Sequence, residues 1–498
     1  MPINCTMGGL SYSKNIEILP TNSKTWITQF YNDVDNKATT VYWPEGYEGG
    51  KIIFTKTNNI EDGILYVGNT GPVEQYPTGL GGNAAMAKFD INGNILWQFK
   101  LMQAGSNNIV FNDVIQFASG ITNDIYACGS AVDINGQQAC LIARFDNLGN
   151  LIWQRLLYTT LGTNPDGTKY ATYASSIGTS EAGYIYISGY IRNNTNVING
   201  IVGPMWAKYD LDGNLIWQKF YKNTSTDTSL DKYIYTAKIA SYTAPIGVSP
   251  KLVMATNLLS YNSPDQKPVI INILQDGLIS TSIAIQNTAN GKIFNISHSN
   301  GTGHLIGTQL GILNSISTTN NILTSSVFAG VTSAFWKNVI AIQTNSTYDI
   351  GIFVGVDANL GLDTRMFLLK IQDANVGNTF TVLYSRSLST VGIASSGQLY
   401  IADAKILNDK IYVLGTVGNK SVILTFDLGG YIVPDGVYNT IDTTYNYAIS
   451  SNNQVNRASQ SSSSGPVNME VINLTLTSAA SANITQVITT FNSTRIEL

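Results

Sequence analysis

AKYDLDGNLIWQKFY, residues 207–221, is the third copy of one phrase, after AKFDINGNILWQFKL at 87–101 and ARFDNLGNLIWQRLL at 143–157. In each copy an alternating apolar pattern gives way to Asp-x-x-Gly-Asn and then to a second alternating pattern. Asp and Gly favour a tight turn, because the Asp side chain hydrogen-bonds the local backbone and Gly accepts a positive φ. The phrase therefore predicts a β-hairpin.

A second phrase precedes each copy. These phrases are GILYVGN at 63–69, DIYACGS at 124–130 and YIYISGY at 184–190. Tyr66, Tyr126 and Tyr186 stand at matching positions, which gives a period of 60 residues. A repeat of this length with strand–turn–strand content predicts propeller blades of four antiparallel strands. The 3.6-residue periodicity of helical repeats is not found.

Weaker copies of the second phrase continue along the chain, at 251–257, 303–309, 350–356 and 410–416. Together with the first three they make seven pairs of phrases. The predicted fold is therefore all-β, a seven-bladed propeller of four-stranded antiparallel blades with a C-terminal β extension. Eight blades are the alternative, because the C-terminal stretch has strand character of its own.

The predicted domain organisation has four parts. Residues 1–50 form an N-terminal segment, in which 24–31 is expected to be a ring-closing strand because its Trp matches the Trp of the repeat. The propeller spans 51–440. A Ser/Asn-rich linker is expected over 441–465, and a β-hairpin or incomplete blade over 466–498.

Composition narrows the classes of function. Hydrophobic residues make up 44% of the chain, which suffices for a core, whereas charged residues make up 12% and the net charge is −4. Because no basic run occurs, nucleic acid is not expected as a partner. Neither a signal-peptide pattern nor a run of eighteen apolar residues is found, so no membrane span is expected. A polar but uncharged surface is typical of secreted, cell-surface and virion proteins.

The Asp-x-x-Gly-Asn-x-x-Trp phrase resembles the repeat of bacterial and viral β-propeller repeat proteins, distant relatives of the quinoprotein-type propellers. The strong resemblance covers 63–221. It implies a propeller fold but says little about activity, since such propellers serve as scaffolds, adhesins, binding platforms and enzymes. The adjacent cysteines often found in quinoproteins are missing, and Asn replaces the Lys of their Gly-Lys-x-x-Trp phrase. Both departures argue against a quinone enzyme.

Two copies of the turn also resemble a calcium-binding loop. Asp90 and Asn92 in DINGN, and Asp210 and Asp212 in DLDGN, place oxygen ligands at alternating positions. No bidentate Glu follows, however, and the middle copy, DNLGN, keeps the turn without the second acid. A structural turn is therefore the favoured interpretation, and calcium is the one cofactor left open.

Other reactive residues are few. Cys128 and Cys140 are equidistant from Ile134 beside a predicted turn, so they are expected to face each other across a hairpin, as a disulfide or as two buried thiols. His298 and His304 could form a metal pair or a Ser–His dyad, but surface positions are favoured. Hydrolysis of a glycoside would need a pair of carboxylates. The candidates are three acidic residues that lie close together in the sequence: Glu45, Glu48 and Asp62.

The leading functional prediction is a non-enzymatic structural or recognition propeller on the outside of a particle or cell, with a virion surface or coat component as the specific case. The expected partners are proteins of a surface assembly, the chain itself included, or glycans. The alternative is a carbohydrate-binding or carbohydrate-active propeller enzyme with a site in its central channel.

Overall fold

The computed structural model describes forty β-strands together with residues 50, 90–94, 136–137, 146–150, 170, 179, 183, 211–214 and 274–278. Side chains are described for part of these, mainly between residues 50 and 219. The described residues contain no helix, and hence no helical segment that could cross a membrane. The predicted all-β class is confirmed.

The N-terminal strands and the first three large sheets follow in chain order. The first four strands are β1 (Pro2–Met7), β2 (Leu10–Asn15), β3 (Trp26–Asn32) and β4 (Ala38–Thr39). Sheet A contains β4, β5 (Lys51–Thr57), β6 (Ile60–Thr70), β7 (Asn83–Phe89) and β8 (Ile95–Gln103). Sheet B contains β9 (Ile109–Ala118), β10 (Asn123–Val132), β11 (Gln138–Phe145) and β12 (Leu151–Thr159). Sheet C contains β13 (Ala171–Gly178), β14 (Tyr184–Arg192), β15 (Ile201–Asp210) and β16 (Leu215–Asn223).

The next three sheets repeat this arrangement. Sheet D contains β17 (Tyr233–Ile234), β18 (Lys238–Ser241), β19 (Leu252–Ser260), β20 (Ser263–Ile273) and β21 (Ile279–Gln286). Sheet E contains β22 (Ile293–Ser299), β23 (Gly303–Thr308), β24 (Ile312–Ile316) and β25 (Ile322–Ala329). Sheet F contains β26 (Ala334–Gln343), β27 (Tyr348–Asp357), β28 (Arg365–Ala374) and β29 (Thr379–Val391).

Sheet G combines strands from both ends of the chain. It contains β30 (Leu399–Leu407), β31 (Lys410–Val417) and β32 (Lys420–Asp427), and its next strand is the N-terminal β3. Ile27 of β3 is the antiparallel partner of Leu424 in β32. Each sheet is open, and its successive strands pair antiparallel. Four-stranded antiparallel sheets are therefore present, as the repeat predicts.

The C-terminal strands do not form a sheet of their own. They are β33 (Val437–Asn439), β34 (Asn446–Ser451), β35 (Asn456–Ser459), β36 (Ser463–Pro466), β37 (Met469–Asn473), β38 (Leu476–Ala479), β39 (Ile484–Ile488) and β40 (Phe491–Glu497). We call β34–β40 the belt. In order, its strands pair with β29, β25, β21, β16, β12, β8 and β3, which are the outer strands of sheets F, E, D, C, B, A and G.

This pairing differs from the expected organisation of the C-terminal region. The predicted linker over 441–465 contains the strands β34 and β35 and most of β36, and the strands within 466–498 pair with four different sheets instead of with one another. The physical reason is that an outer strand has unpaired backbone N–H and C=O groups. These groups can form hydrogen bonds with any extended segment of suitable length. Alternating residues predict a strand but do not identify its partner.

The apolar core lies between neighbouring sheets. One cluster joins Leu65, Met86 and Phe99 of sheet A to Phe111 and Leu141 of sheet B, and all five side chains are buried. Similar clusters lie between sheets B and C and between sheets G and A. Because a sheet here is covered on both faces, its inner strands are apolar almost throughout, as IYACGSAV in β10 illustrates.

One strand of each sheet contacts the corresponding strand of the next sheet, and we call these seven strands the first strands of sheets A–G: β5, β9, β13, β18, β22, β26 and β30. β5 contacts β9, β9 contacts β13, and the series continues through β18, β22 and β26 to β30. β30 in turn contacts β5. Sheet G, which comes last in the chain, therefore lies beside sheet A, which comes first.

Candidate interaction surface

The Asp of the repeated phrase stabilises its own turn. Oδ1 of Asp90 accepts hydrogen bonds from the backbone N–H of Asn92 at 2.9 Å and of Asn94 at 2.8 Å, and Oδ2 accepts one from Nδ2 of Asn94 at 2.7 Å. The N–H of Gly93 donates to the Asp90 carbonyl, and Gly93 has a φ of 84°. The turn requires a backbone with positive φ at this position, and Gly adopts that conformation without strain.

The other copies build the same turn. Asp146 and Asp210 accept the equivalent three hydrogen bonds, at distances between 2.8 and 3.0 Å. A fourth turn, Leu274–Leu278, lacks the first Asp but keeps the backbone hydrogen bonds and a left-handed Gly277. There Asp276 accepts from the N–H of Leu278 at 3.0 Å. The geometry of the turn is therefore retained where the sequence of the phrase has diverged.

The Trp of each copy docks on the turn of the next sheet. The indole N–H of Trp97 donates to the carbonyl of Asn147 at 3.3 Å, Trp153 to that of Leu211 at 3.1 Å, and Trp217 to that of Gln275 at 3.0 Å. The ring also covers the turn glycine. A Cβ placed on Gly213 would lie 3.0 Å from the Trp153 ring, so a side chain would displace the ring.

A basic residue two positions before the turn Asp adds a second link between sheets. Nζ of Lys88 lies 3.0 Å from Oδ2 of Asp62 in its own sheet and 3.0 Å from Oδ1 of Asn147 in the next. Arg144 pairs with Asp124 at 2.6 Å and donates to the Leu211 carbonyl at 2.8 Å. The signal was visible in the sequence, since all three copies carry Lys or Arg here, but a comparison centred on the turn and the Trp passes over it.

The third copy uses the same basic position differently. Nζ of Lys208 lies 3.9 Å from the centre of the Tyr184 ring and 5.4 Å from that of Tyr186. Both distances are in the range of a cation–π interaction. The basic residue of this copy is therefore also engaged in the packing of the repeat.

A buried ion pair links the first strands of sheets G and A. Asp403 on β30 is fully buried. Its Oδ1 lies 3.6 Å from Nζ of Lys51 on β5 and 3.2 Å from Nζ of Lys405. Its Oδ2 accepts a hydrogen bond from the backbone N–H of Ile52 at 3.1 Å. Burial alone would raise the pKa of the Asp403 carboxyl. The two lysines and the hydrogen bond outweigh burial and hold that pKa below its usual range.

The equivalent place between sheets B and C also holds a carboxylate. Oδ2 of Asp113 on β9 accepts hydrogen bonds from Oγ of Ser176 at 2.6 Å and from the N–H of Ile177 at 3.1 Å, both on β13. Asn112 donates to the Ala174 carbonyl of the same strand at 2.7 Å. Polar side chains on the first strands therefore connect neighbouring sheets.

The predicted calcium ligands lie in the turns of the repeated phrase. The carboxylate oxygens of Asp90 and Asp210 accept hydrogen bonds within their turns, and Asn92 contributes its backbone N–H to the first of them. Asp212 is 84% exposed, and its Oδ1 lies 3.5 Å from Arg144 of the preceding sheet. No group of three His, Cys, Asp or Glu that could hold a metal occurs within the described residues.

The register of β10 and β11 corrects the expected cysteine pairing. Cys128 is the partner of Ile142, and Cys140 is the partner of Ser130. The hairpin is thus centred one residue later than Ile134, and this shift moves each cysteine two positions away from a facing partner. Both side chains are buried, and they lie on the same face of the sheet. Burial raises the pKa of the Cys140 thiol far above its usual value.

The remaining sequence candidates are placed in part. His298 and His304 are direct register partners on β22 and β23, and their side chains lie outside the described residues. Glu45 and Glu48 also lie outside them. Asp62 accepts the hydroxyls of Thr55 at 2.6 Å and Thr57 at 2.7 Å in addition to its pairing with Lys88. Burial opposes ionisation of Asp62, but these donors hold its pKa below the usual range.

A row of exposed aliphatic side chains repeats on the outer strands. Leu96, Ile152 and Ile216 precede the docking Trp in the three copies, and they are 55%, 48% and 49% exposed. Each is the extra residue of a β-bulge, because the register skips it: Lys88 pairs with Trp97 and Phe89 with Ile95. We call these three residues the bulge row. Sequence reasoning missed the row because alternation alone does not show where the register skips a residue.

The bulge row lies beside the belt and is not paired by it. On β8 the pairing with β39 begins at Phe99, and on β12 the pairing with β38 begins at Leu156. On β16 the pairing with β37 begins at Lys219. The first part of each of these three outer strands therefore carries a bulge and an exposed aliphatic residue, and the second part pairs with the belt. Repetition of an exposed apolar residue on three sheets makes this rim the candidate interaction surface.

Comparisons with known proteins add little to this geometry. No family model matches the chain, and no curated protein matches it. Among solved structures, the S. cerevisiae core factor matches with a TM-score of 0.41 and 8% identity, over 82% of this chain and 61% of that one. An ulvan lyase, described as a new family of polysaccharide lyase, matches with a TM-score of 0.38 and 10% identity, over 76% and 78% of the two chains. Matches this weak carry no argument about function.

Proposed function

We propose that sheets A–G are the blades of a seven-bladed β-propeller. The series of contacts between first strands, which returns from β30 to β5, supports a ring of sheets around one axis. The N-terminal β3 completes sheet G beside β32, and such pairing of the two chain ends is a common way to close a propeller. Belt strands extend existing sheets, which favours seven blades over eight.

We further propose that this propeller is a structural or recognition module on the outside of a particle or cell, with a virion surface or coat component as the specific case. One observation carries the proposal: the polar and aromatic groups of the repeated phrase are engaged within the turns or in docking between sheets, whereas the bulge row is exposed on three successive sheets. A repeated phrase with these properties builds a scaffold and presents apolar side chains to a protein partner.

Charge supports the same proposal. The chain has 28 basic and 32 acidic residues in 498, so its surface is only sparsely charged. Apolar contact is favoured where few charges must be desolvated, because an unpaired charge buried at an interface costs several kcal/mol. A protein partner is therefore expected to be held by shape and apolar area instead of by charge.

Surface labelling tests the location. An epitope-tagged chain would be produced in its source, and intact particles or cells would be treated with a membrane-impermeant biotin reagent before lysis. The expected result is biotin on the tagged chain in the intact sample. Labelling only after lysis would contradict a position on the outside.

Substitution of the bulge row tests the surface itself. A chain with Leu96→Ser, Ile152→Ser and Ile216→Ser is expected to fold with a nearly unchanged melting temperature but to be lost from the purified particle or envelope fraction. Ile60→Ser is the matched control, because Ile60 is 71% exposed and lies outside the row. Equal retention of the triple variant and the control would show that the row does not hold the partner.

A further inference from the structure

The belt has no fold apart from the sheets it covers. Each of β34–β40 pairs with the outer strand of a different sheet, and among the described strands no belt strand pairs with another. β33 pairs with β34, and it is the one addition at the start of the series. The belt is therefore an extended segment whose stability comes from sheet edges.

Each contact of the belt is short. Its ladders are four residues long at β35, β36 and β38, and seven residues long at β40. A hydrogen bond contributes about 1 kcal/mol net, so one such ladder is weak by itself. The belt strands can therefore dissociate from their sheets one after another. Stepwise release requires no disruption of the sheets beneath.

We propose that the belt is exchanged between copies, so that residues 446–497 of one molecule pair with the outer strands of a second. A second copy offers the same seven edges in the same order, and every ladder is reproduced between molecules without a new contact. Exchange depends only on the strand pairing described above. It holds whether or not the molecule is found on a surface.

The connection to the belt is long enough for exchange. β33 pairs with β34 and moves with it, so nine residues, 428–436, connect β32 to the exchanged segment; they span at most about 30 Å when extended, enough to reach an adjacent copy. Pairing within one molecule benefits from an effective concentration in the millimolar range, so exchange is favoured where copies are packed at a comparable density. Crowding at an assembly site therefore shifts the belt from its own molecule to a neighbour.

Cysteine pairs can distinguish the two arrangements. Thr28 on β3 and Arg495 on β40 are register partners, and facing positions on antiparallel strands bring Cβ atoms within disulfide range. All chains would carry Cys5→Ser, which leaves only the buried Cys128 and Cys140. One copy carries Thr28→Cys, a second copy with a different tag carries Arg495→Cys, and the two are co-expressed and then oxidised.

Exchange predicts a disulfide-linked heterodimer of the two tags in non-reducing gels and intact mass spectra. Its yield should exceed by at least about tenfold that of a control mixture in which Ile60→Cys replaces Thr28→Cys, because that exposed residue collides only at random. A single chain with both Thr28→Cys and Arg495→Cys serves as the reference for pairing within one molecule.

Two outcomes would overturn the proposal. If the double variant cross-links internally while the mixture gives no more heterodimer than the control, the belt stays on its own molecule. If neither cross-links although melting temperatures show that the variants fold, β40 does not pair with β3. Neither outcome would alter the surface-labelling result, so the two proposals can fail separately.

Discussion

The indole N–H of Trp153 donates a 3.1 Å hydrogen bond to the carbonyl of Leu211, which lies 58 residues further along the chain and in the next sheet. Trp153 and the turn at Leu211 belong to consecutive copies of one phrase. The turn and the Trp therefore occur together in the phrase. The turn of each copy binds the Trp of the preceding copy, and its Trp binds the turn of the following copy. The repeat encodes a contact between sheets as well as a hairpin.

Removal of this Trp should loosen the junction between sheets B and C. Trp153→Phe keeps the ring but loses the hydrogen bond, and we expect a loss of about 1 kcal/mol in the free energy of unfolding. Trp153→Ala should cost about 3 kcal/mol, because the packed ring is lost as well. Ile152→Ala, next to it and half exposed, is the control and should change stability by less than about 1 kcal/mol. Chemical denaturation measures all three, and equal losses would contradict the docking role.

Two glycines separate backbone strain from docking. Gly213 and Gly136 have nearly equal φ values, 82° and 79°, but only Gly213 lies against an indole ring. Gly136→Ala should cost about 1 kcal/mol from the left-handed backbone alone. Gly213→Ala should cost more, since its Cβ meets the Trp153 ring. Equal changes in the unfolding midpoint of the two variants would mean that the Trp153 ring can move aside at no cost in stability.

The turn Asp can be tested against the calcium hypothesis. Asp210→Ala removes three hydrogen-bond acceptor contacts and should cost about 1–2 kcal/mol, as loss of a capping side chain does. Asp210→Asn keeps one oxygen acceptor for the turn and should lose less. Thermal unfolding with and without millimolar Ca²⁺ provides the measurement. A calcium-dependent rise in melting temperature that both variants abolish would support a metal site.

The buried carboxylate at the junction of sheets G and A should make stability depend on pH. The folded-state pKa of Asp403 is lowered, so its contribution is fully present above about pH 4, the unfolded value, and is lost as pH falls through the folded value. Asp403→Asn should cost about 3 kcal/mol at pH 7 by leaving two lysines without their anion, and the difference should narrow below pH 4. Glu61→Gln, which breaks the exposed pair with Lys56, should change stability by less than about 1 kcal/mol. A difference independent of pH would contradict the ion pair.

The two cysteines on β10 and β11 should resist alkylation in the folded protein. Burial excludes the reagent and raises the pKa of Cys140, so almost no thiolate is available at pH 8. In a Cys5→Ser chain, iodoacetamide should add two groups only after denaturation. An added Ile60→Cys should react at once under native conditions. An intact mass two hydrogens lower, with no alkylation after denaturation, would indicate a disulfide instead.

Local features of the fold were predictable because their causes are local. Turn residues and apolar alternation stand within one fifteen-residue phrase, and both act on the backbone nearby. The same reasoning reaches Leu274–Leu278, where Asp276 takes over part of the capping after the first Asp has been replaced. The all-β class followed from these signals alone.

Long-range features were not predictable in the same way. Lys51 and Asp403 are about 350 residues apart, and nothing in either neighbourhood identifies the other. The partner of β40 is equally hidden, because pairing at a sheet edge uses backbone groups that every residue carries. The bulge row required the register, since a single extra residue reverses which side chain faces outward.

The order in which the belt meets the sheets has a consequence for synthesis. The belt follows all seven sheets along the chain, so during synthesis their outer strands leave the ribosome before any belt strand exists to cover them. A chain released before residue 446 would expose every one of these edges, and unpaired edges promote aggregation. A chain can therefore cover its own outer strands only after residues 446–497 have been made.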